Sequence, residues 1–236
     1  MSKTAFLGLP LVQPSQAQKH VTVNEALTRI DALTQLTILS TSLQSPPAAT
    51  EGDCYFVAPG GVNAWSGQDG TLALYLNGGW DFVSPGIGWH AWLVDLGTPA
   101  MFDGVDWVPG TGAISLNGAA TTARVIEIDH DLMAGPSSAT VPIIPAQSLV
   151  IGVTGIVLTA ITGAATTWQL GIGGVSPDRY GSGLGTAAGS WVRGLTSSPL
   201  AYYAATPLTI TGEGGDLSGG QIRLAVHVTE LTLPRG

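Results

Sequence analysis

The sequence predicts a mainly β protein with one N-terminal helix, a small Trp-rich β-hairpin repeat domain and a C-terminal antiparallel β-sandwich or jelly roll. Three observations predict it. Gly and Pro are abundant, at 33 and 15 of 236 residues, and they separate short apolar runs at close intervals. Charged residues are only 10%, against about 25% in an ordinary soluble domain. Yet 44% of the chain is hydrophobic, with seven Trp, so it does not have the charged, apolar-poor make-up of a disordered chain.

The helix belongs to a first segment, residues 1–46. Ser15 followed by Gln18 has the form of a capping box, with Pro14 just before it, and Asn24 offers a second start. Val23, Ala26, Ile30, Leu33 and Thr37 are spaced alternately by three and four. That is heptad spacing over about two heptads. It fits a helix packed on its own domain or a short bundle of identical chains. Ser45-Pro46-Pro47 is expected to end the helix.

The second segment, residues 50–112, contains a repeat. Leu74 to Val83 and Met101 to Val108 each read as an aromatic strand, an Asn-Gly or Asp-Gly turn and a strand opening on Trp. Tyr55–Ala58 with Gly60–Trp65 reads as a looser third copy. Small hairpins bury little on their own, so Trp65, Trp80, Trp89, Trp92 and Trp107 are expected in the core.

In the third segment, residues 117–236, Ile126 and Ile128 alternate with Val125, Glu127 and Asp129. Ile222, Leu224, Val226 and Val228 alternate with Arg223, Ala225, His227 and Thr229. Period two marks half-buried strands. The parity change to Leu231 and Leu233 suggests a bulge near Glu230. The apolar run Leu149 to Thr159 is expected to be a central strand. Such strands at short intervals give a sandwich or jelly roll.

Several function classes are excluded on composition. The net charge is -8, both lysines (Lys3 and Lys19) lie near the start, and the arginines are scattered. Nucleic-acid binding and attraction to anionic lipid both need clustered cations. No apolar run approaches the roughly 20 residues of a membrane-spanning helix. Pro10 and the lone Lys3 argue against a secretion signal, so the protein is expected to be made in the cytoplasm. The single Cys54 excludes an internal disulfide and a multi-cysteine zinc site.

For catalysis, no nucleophile elbow, phosphate loop or His-Glu-x-x-His occurs. Asp129-His130-Asp131 reads as the end of a strand with solvated carboxylates, the two aspartates sharing a face. We therefore expect no enzyme activity, no metal and no cofactor. The one pair compatible with a glycoside hydrolase is Asp178 with Asp216.

The stretch from Ser176 through Asp178, Arg179 and Tyr180 to Gly185, continuing to Trp191, combines a carboxylate, a guanidinium and aromatic rings in a Gly-rich loop. Sugars are held by flat aromatic faces against their C–H surfaces and by planar polar groups on their hydroxyls. Tyr202 and Tyr203 follow on a later segment. Asp178, Arg179, Tyr180, Trp191, Tyr202, Tyr203 and Asp216 are the candidate glycan contacts. The competing structural reading is an Asp178–Arg179 ion pair clamping the loop, with Tyr180 covering the core.

Leu9-Pro10, then Gln13-Pro14-Ser15-Gln16-Ala17-Gln18-Lys19-His20, Asn24-Glu25-Ala26-Leu27 and Asp31-Ala32-Leu33 resemble the opening of an uncharacterised domain family. That family occurs in prophage tail proteins and in gene transfer agents, the phage-like particles that carry host DNA. The resemblance continues through Gly52-Asp53-Cys54-Tyr55, Ala64-Trp65 and the Trp hairpins, over roughly the first 110 residues. More loosely, Asp178 to Gly181, Tyr203 to Leu208 and Gly214 to Gly220 resemble the receptor-facing end of such fibres.

The resemblance implies a tail fibre or head spike subunit on the exterior of a phage-like particle. Its partners would be further copies of itself in a homotrimer, another particle protein at the N-terminal segment, and a host capsule polysaccharide. Gln13, Gln16, Gln18, Lys19, His20, Asn24, Ile30 and Leu33 are the candidates for anchoring and oligomerisation. A capsule-degrading spike and a purely structural connector are the alternatives. The low charge favours a neutral capsule over an anionic one.

Overall fold

A computed structural model describes Thr4, Leu9, Leu11, Val12 and residues 19–236 except Val175, with the side chains of Lys19, His20 and Thr22 left aside. The capping box and Gln13, Gln16 and Gln18 lie outside the described residues. The chain divides into two compact units, Met1–Leu116 and Asn117–Gly236.

The N-terminal unit begins with helix α1 (Lys19–Thr34). The helix stops before Gln35, well ahead of Ser45-Pro46-Pro47. Leu36 and Ile38 are pulled into the core instead, and Thr37–Ile38 form strand β1. Asn24 is not a cap. It sits inside the helix, where its amide oxygen accepts from Val12 N–H at 2.8 Å and its amide nitrogen donates to Val12 C=O at 3.0 Å. One side chain thus completes a two-way pairing with an extended residue, as a strand neighbour would. The heptad stripe is not the packed face, for Val23 and Ile30 are 43% and 55% exposed. Among the described side chains of the helix Asp31 and Ala32 are buried, with Leu33 half-buried against the same core as Ala32.

Strands β2 (Cys54–Phe56), β3 (Leu72–Leu76) and β4 (Gly79–Val83) form an antiparallel sheet. Its β3–β4 turn is Asn77-Gly78, with φ of 54° and 76°, the positive pair that a tight two-residue hairpin requires. A second sheet has the order β1-β5-β6-β7, with β5 at His90–Leu93, β6 at Thr98–Phe102 and β7 at Trp107–Pro109. The β6–β7 turn is wider. Asp103 Oδ1 accepts from the N–H groups of Val105 and Asp106 at 2.9 and 2.8 Å, so a side chain closes this copy of the repeat.

The third copy is not a hairpin. Phe56 pairs with Leu72, and Asn63–Trp65 is a 3-10 turn. Gly60 and Gly61 both donate to the Asp69 carboxylate, at 2.9 and 2.8 Å. Those two backbone donors hold its pKa below the usual carboxylate value. Trp65 and Trp107 are buried and Trp80 and Trp89 half-buried, but Trp92 is 47% exposed because its strand presents alternate residues outward. A last short strand of the unit is β8 (Thr111–Ile114).

The C-terminal unit contains strands β9 (Ala120–Asp131), β10 (Ser137–Ile144), β11 (Ser148–Gly163), β12 (Thr167–Gly171), β13 (Gly181–Leu184), β14 (Trp191–Tyr202), β15 (Thr206–Glu213) and β16 (Leu217–Leu231). One sheet runs β14-β11-β16-β9 and the other β10-β15-β12-β13. Within these eight strands the first, third, sixth and eighth share one sheet, and the second, fourth, fifth and seventh share the other. That is the strand order of a jelly roll. Val150, Val153 and Val157 of β11 and Ile222, Leu224, Val226 and Val228 of β16 meet Trp168, Leu170, Leu208 and Ile210 of the opposing sheet in one core.

β11 is central, between β14 and β16. It buries one face only, and the phase of burial slips at Gly152, where its register against both neighbours shifts. No bulge occurs at Glu230. The β16–β9 pairing runs unbroken through Glu230 and Leu231, and Leu231 and Leu233 are simply exposed, at 71% and 87%.

Candidate functional site

The seven candidate glycan contacts separate into two groups. Asp178 to Tyr180 lie in the turn ahead of β13, and Tyr202 ends β14. Tyr180 is 2% exposed. Its hydroxyl lies 2.7 Å from that of Tyr202, and Arg179 Nη1 donates to the Tyr202 oxygen at 3.1 Å. Arg179 Nη2 donates to Ser176 Oγ at 3.0 Å. Among the described residues no ion pair joins Arg179 to Asp178. Burial, and then the hydrogen bond to Tyr202, raise the Tyr180 phenol far above its ordinary pKa. This is a closed polar knot that locks the loop to the end of β14.

The knot is asymmetric. Tyr202→Phe strands the buried Tyr180 hydroxyl and takes one acceptor from Arg179, an expected cost of about 1–3 kcal/mol. Tyr180→Phe leaves Tyr202 still receiving Arg179 and is expected to cost less. Urea denaturation of the two variants checks the order.

Asp178, Trp191, Tyr203 and Asp216 are exposed, Trp191 at 67% and Tyr203 at 78%. Asp178 and Asp216 stand on different connections. Asp216 contributes its backbone carbonyl to Ala164 and Ala165. The loop also has an anchor that sequence reasoning passed over. Glu213 Oε2 accepts from Gly183 N–H and from Thr167 Oγ1, both at 2.8 Å.

The larger open surface is the outer face of the β14-β11-β16-β9 sheet. Trp191, Ile156, Arg223 and Asp129 form one rung across it, and Arg193, Thr154, Ala225 and Glu127 the next. Arg223 grips Asp129 with two bonds of 2.6 and 2.7 Å and lies 3.7 Å from Glu127. The hydrogen bonds from Arg223 hold the Asp129 pKa below the usual carboxylate value. Asp131 accepts from Gln221 at 2.9 Å.

His130 points the other way. Its Nε2 lies 2.8 Å from Ser138 Oγ. Burial lowers its pKa, opposed by the neighbouring Asp131 charge. The unfolded chain therefore takes up a proton here before the folded one does. Stability from this group is complete above about 6.5 and falls as pH drops from there towards the lower folded value. His130→Gln is expected to flatten that part of the stability–pH curve, measured as melting temperature between pH 7 and pH 5.

At the Gly152 slip the outer face has a hollow of about 230 Å³, lined by Ile151, Gly152, Thr154, Arg193, Leu195 and His227. A methyl group on Gly152 would come within 2.6 Å of Gly194 O, so the position stays bare. Thr154 Oγ1 and His227 Nε2 are 3.1 Å apart. The Arg193 guanidinium lies over the Trp191 ring, 5.8 Å from its centroid.

Residues 23–108 match the model of a family described as a protein of unknown function, DUF2793. The matched stretch runs from the second turn of α1 through Val108 of β7. No curated protein matches the chain. A solved structure titled "Cyanophage Pam1 capsid asymmetric unit" contains a chain that is 19% identical with a TM-score of 0.33. The alignment covers 48% of this chain and 86% of that one. Among the described residues no helix is long and apolar enough to cross a membrane, and no group of three or more His, Cys, Asp or Glu is placed to hold a metal ion.

Proposed function

We propose that the chain is a non-enzymatic subunit on the exterior of a phage-like particle, a fibre or head spike, whose C-terminal jelly roll attaches to a host surface polysaccharide. The observation that carries this reading is the resemblance of roughly the first 110 residues to the domain family of prophage tail proteins and gene transfer agents. The family match over residues 23–108 lies within that same stretch.

The architecture supports attachment over catalysis. Arg179, Tyr180 and Tyr202 are engaged with one another, which leaves the rings of Trp191 and Tyr203 as the open aromatic surface, while the exposed Asp178 and Asp216 stand on different connections. A rigid β scaffold carrying exposed aromatic rings suits weak sugar contacts. The N-terminal unit would dock to the particle, and Val23 and Ile30, exposed on α1, are available for pairing with further copies. A homotrimer would multiply single weak contacts by avidity.

Deleting the gene in a particle-producing strain tests this. Particles should still form but adsorb poorly to encapsulated recipients, and normal adsorption would reject the reading. Capsule incubated with the purified protein should keep its chain length; shortening would establish the hydrolase alternative.

A further inference from the structure

We propose that the Trp191–Arg193 end of the open jelly-roll face, with the hollow beside it, is a contact for a carboxylated sugar ring such as a hexuronate. This deepens the attachment reading above and rests on it. The residues come together because Trp191 and Arg193 are two apart on β14 and so share its outer side, with Val192 turned into the core.

Charge selects the ligand class. Arg223 and Arg124 on this sheet are held by Asp129 and Glu230 at 2.6 Å. Arg193 has no carboxylate partner among the described residues, and lies instead over the Trp191 ring. At 5.8 Å that stacking sits near the outer limit of about 6 Å for such contacts, so it orients the planar fork while leaving its donors free to turn to a ligand. A guanidinium meets a carboxylate through two parallel bonds.

Low charge favours a neutral capsule on composition alone, and the placement of Arg193 beside the hollow reverses that preference at this site. Glu127 ends the same rung as Arg193, three strands away, or about 14 Å at the usual strand spacing. That exceeds the screening length of about 8 Å in physiological salt. Locally the cation dominates.

The size and the apolar walls of the hollow fit one face of a single ring. The hollow of about 230 Å³ is smaller than the pockets of about 300 Å³ and upward that hold drug-sized ligands. Leu195 and Ile151 offer apolar walls to ring C–H groups, Thr154 and His227 bond to each other at its edge, and the polar contact falls to Arg193. The exposed indole beside it can cover a neighbouring ring of the same polymer.

The test uses the full chain on an array of bacterial capsule polysaccharides, each uronate-bearing polymer paired with its carboxyl-reduced form. The chain should bind a carboxylated polymer and weaken about tenfold when that polymer is reduced. Arg193→Gln and Trp191→Ala should each weaken it about tenfold, while Arg124→Gln, which removes a cation already held by Glu230, leaves it unchanged. Both altered side chains are at the surface, so unchanged melting curves are expected; should Trp191→Ala misfold, Arg193→Gln alone decides. Binding that ignores carboxyl reduction or Arg193→Gln overturns this site and leaves the attachment reading standing. Binding to no polysaccharide overturns both.

Discussion

Trp168→Ala is expected to abolish a stable C-terminal unit at 37 °C. Trp168 is 1% exposed at the centre of the jelly-roll core, and its indole N–H donates to Gly185 C=O at 2.8 Å. Truncating a buried Trp costs about 3–5 kcal/mol, and here the deletion also strands a carbonyl of the Gly-rich loop. Against a total stability of about 5–15 kcal/mol for a domain, little remains. Calorimetry should show the transition of this unit lowered or lost. Trp168→Phe should also destabilise clearly, because it removes the same donor.

Trp65→Ala is expected to do comparable damage in the N-terminal unit, at about 3–5 kcal/mol. Trp65 is fully buried, with ring centroids 5.8 Å from Tyr55 and 5.2 Å from Trp80. The Phe variant separates the two sites. The Trp65 indole nitrogen is buried without a hydrogen-bond partner, a burden of about 1–3 kcal/mol. Trp65→Phe sheds that burden while keeping an aromatic ring, so it should cost much less than Trp168→Phe. Equal losses for the two Phe variants in chemical denaturation would show that the Trp65 nitrogen is satisfied in solution.

These tryptophans also show where the sequence could be read and where it could not. Alternation exposed the strands because one residue in two faces the core, and Ile222, Leu224, Val226 and Val228 are all buried. Asn77-Gly78 marked its hairpin because few other pairs accept positive φ at both positions. Composition alone did not separate Trp65 from Trp92, since depth depends on which sheet face a strand turns to the core. Nor did it limit the third hairpin, where Asp69 captures two glycine N–H groups and bends the chain into a turn. The helix was legible as a helix, but its heptad stripe was not its packed face. Asn24 looked like a cap because caps and backbone-pinning amides are the same residue type.

The candidate site was legible in part. Trp191 and Tyr203 are open to solvent, but Tyr180 and Tyr202 serve the loop's own closure. Arg179 reads equally well as a ligand group and as a brace, and the partner that decides between them is 23 residues away in sequence. Arg193 was the residue passed over. Its signal was present, two positions from Trp191 on a strand, but only the register against Thr154 shows that Arg193 borders a hollow.

Binding of the purified full chain to two isogenic host strains, one encapsulated and one without capsule, tests the central claim most directly. Retention on the encapsulated cells and its loss on the bare ones is the predicted result. Equal retention on both strains, or none on either, would contradict it.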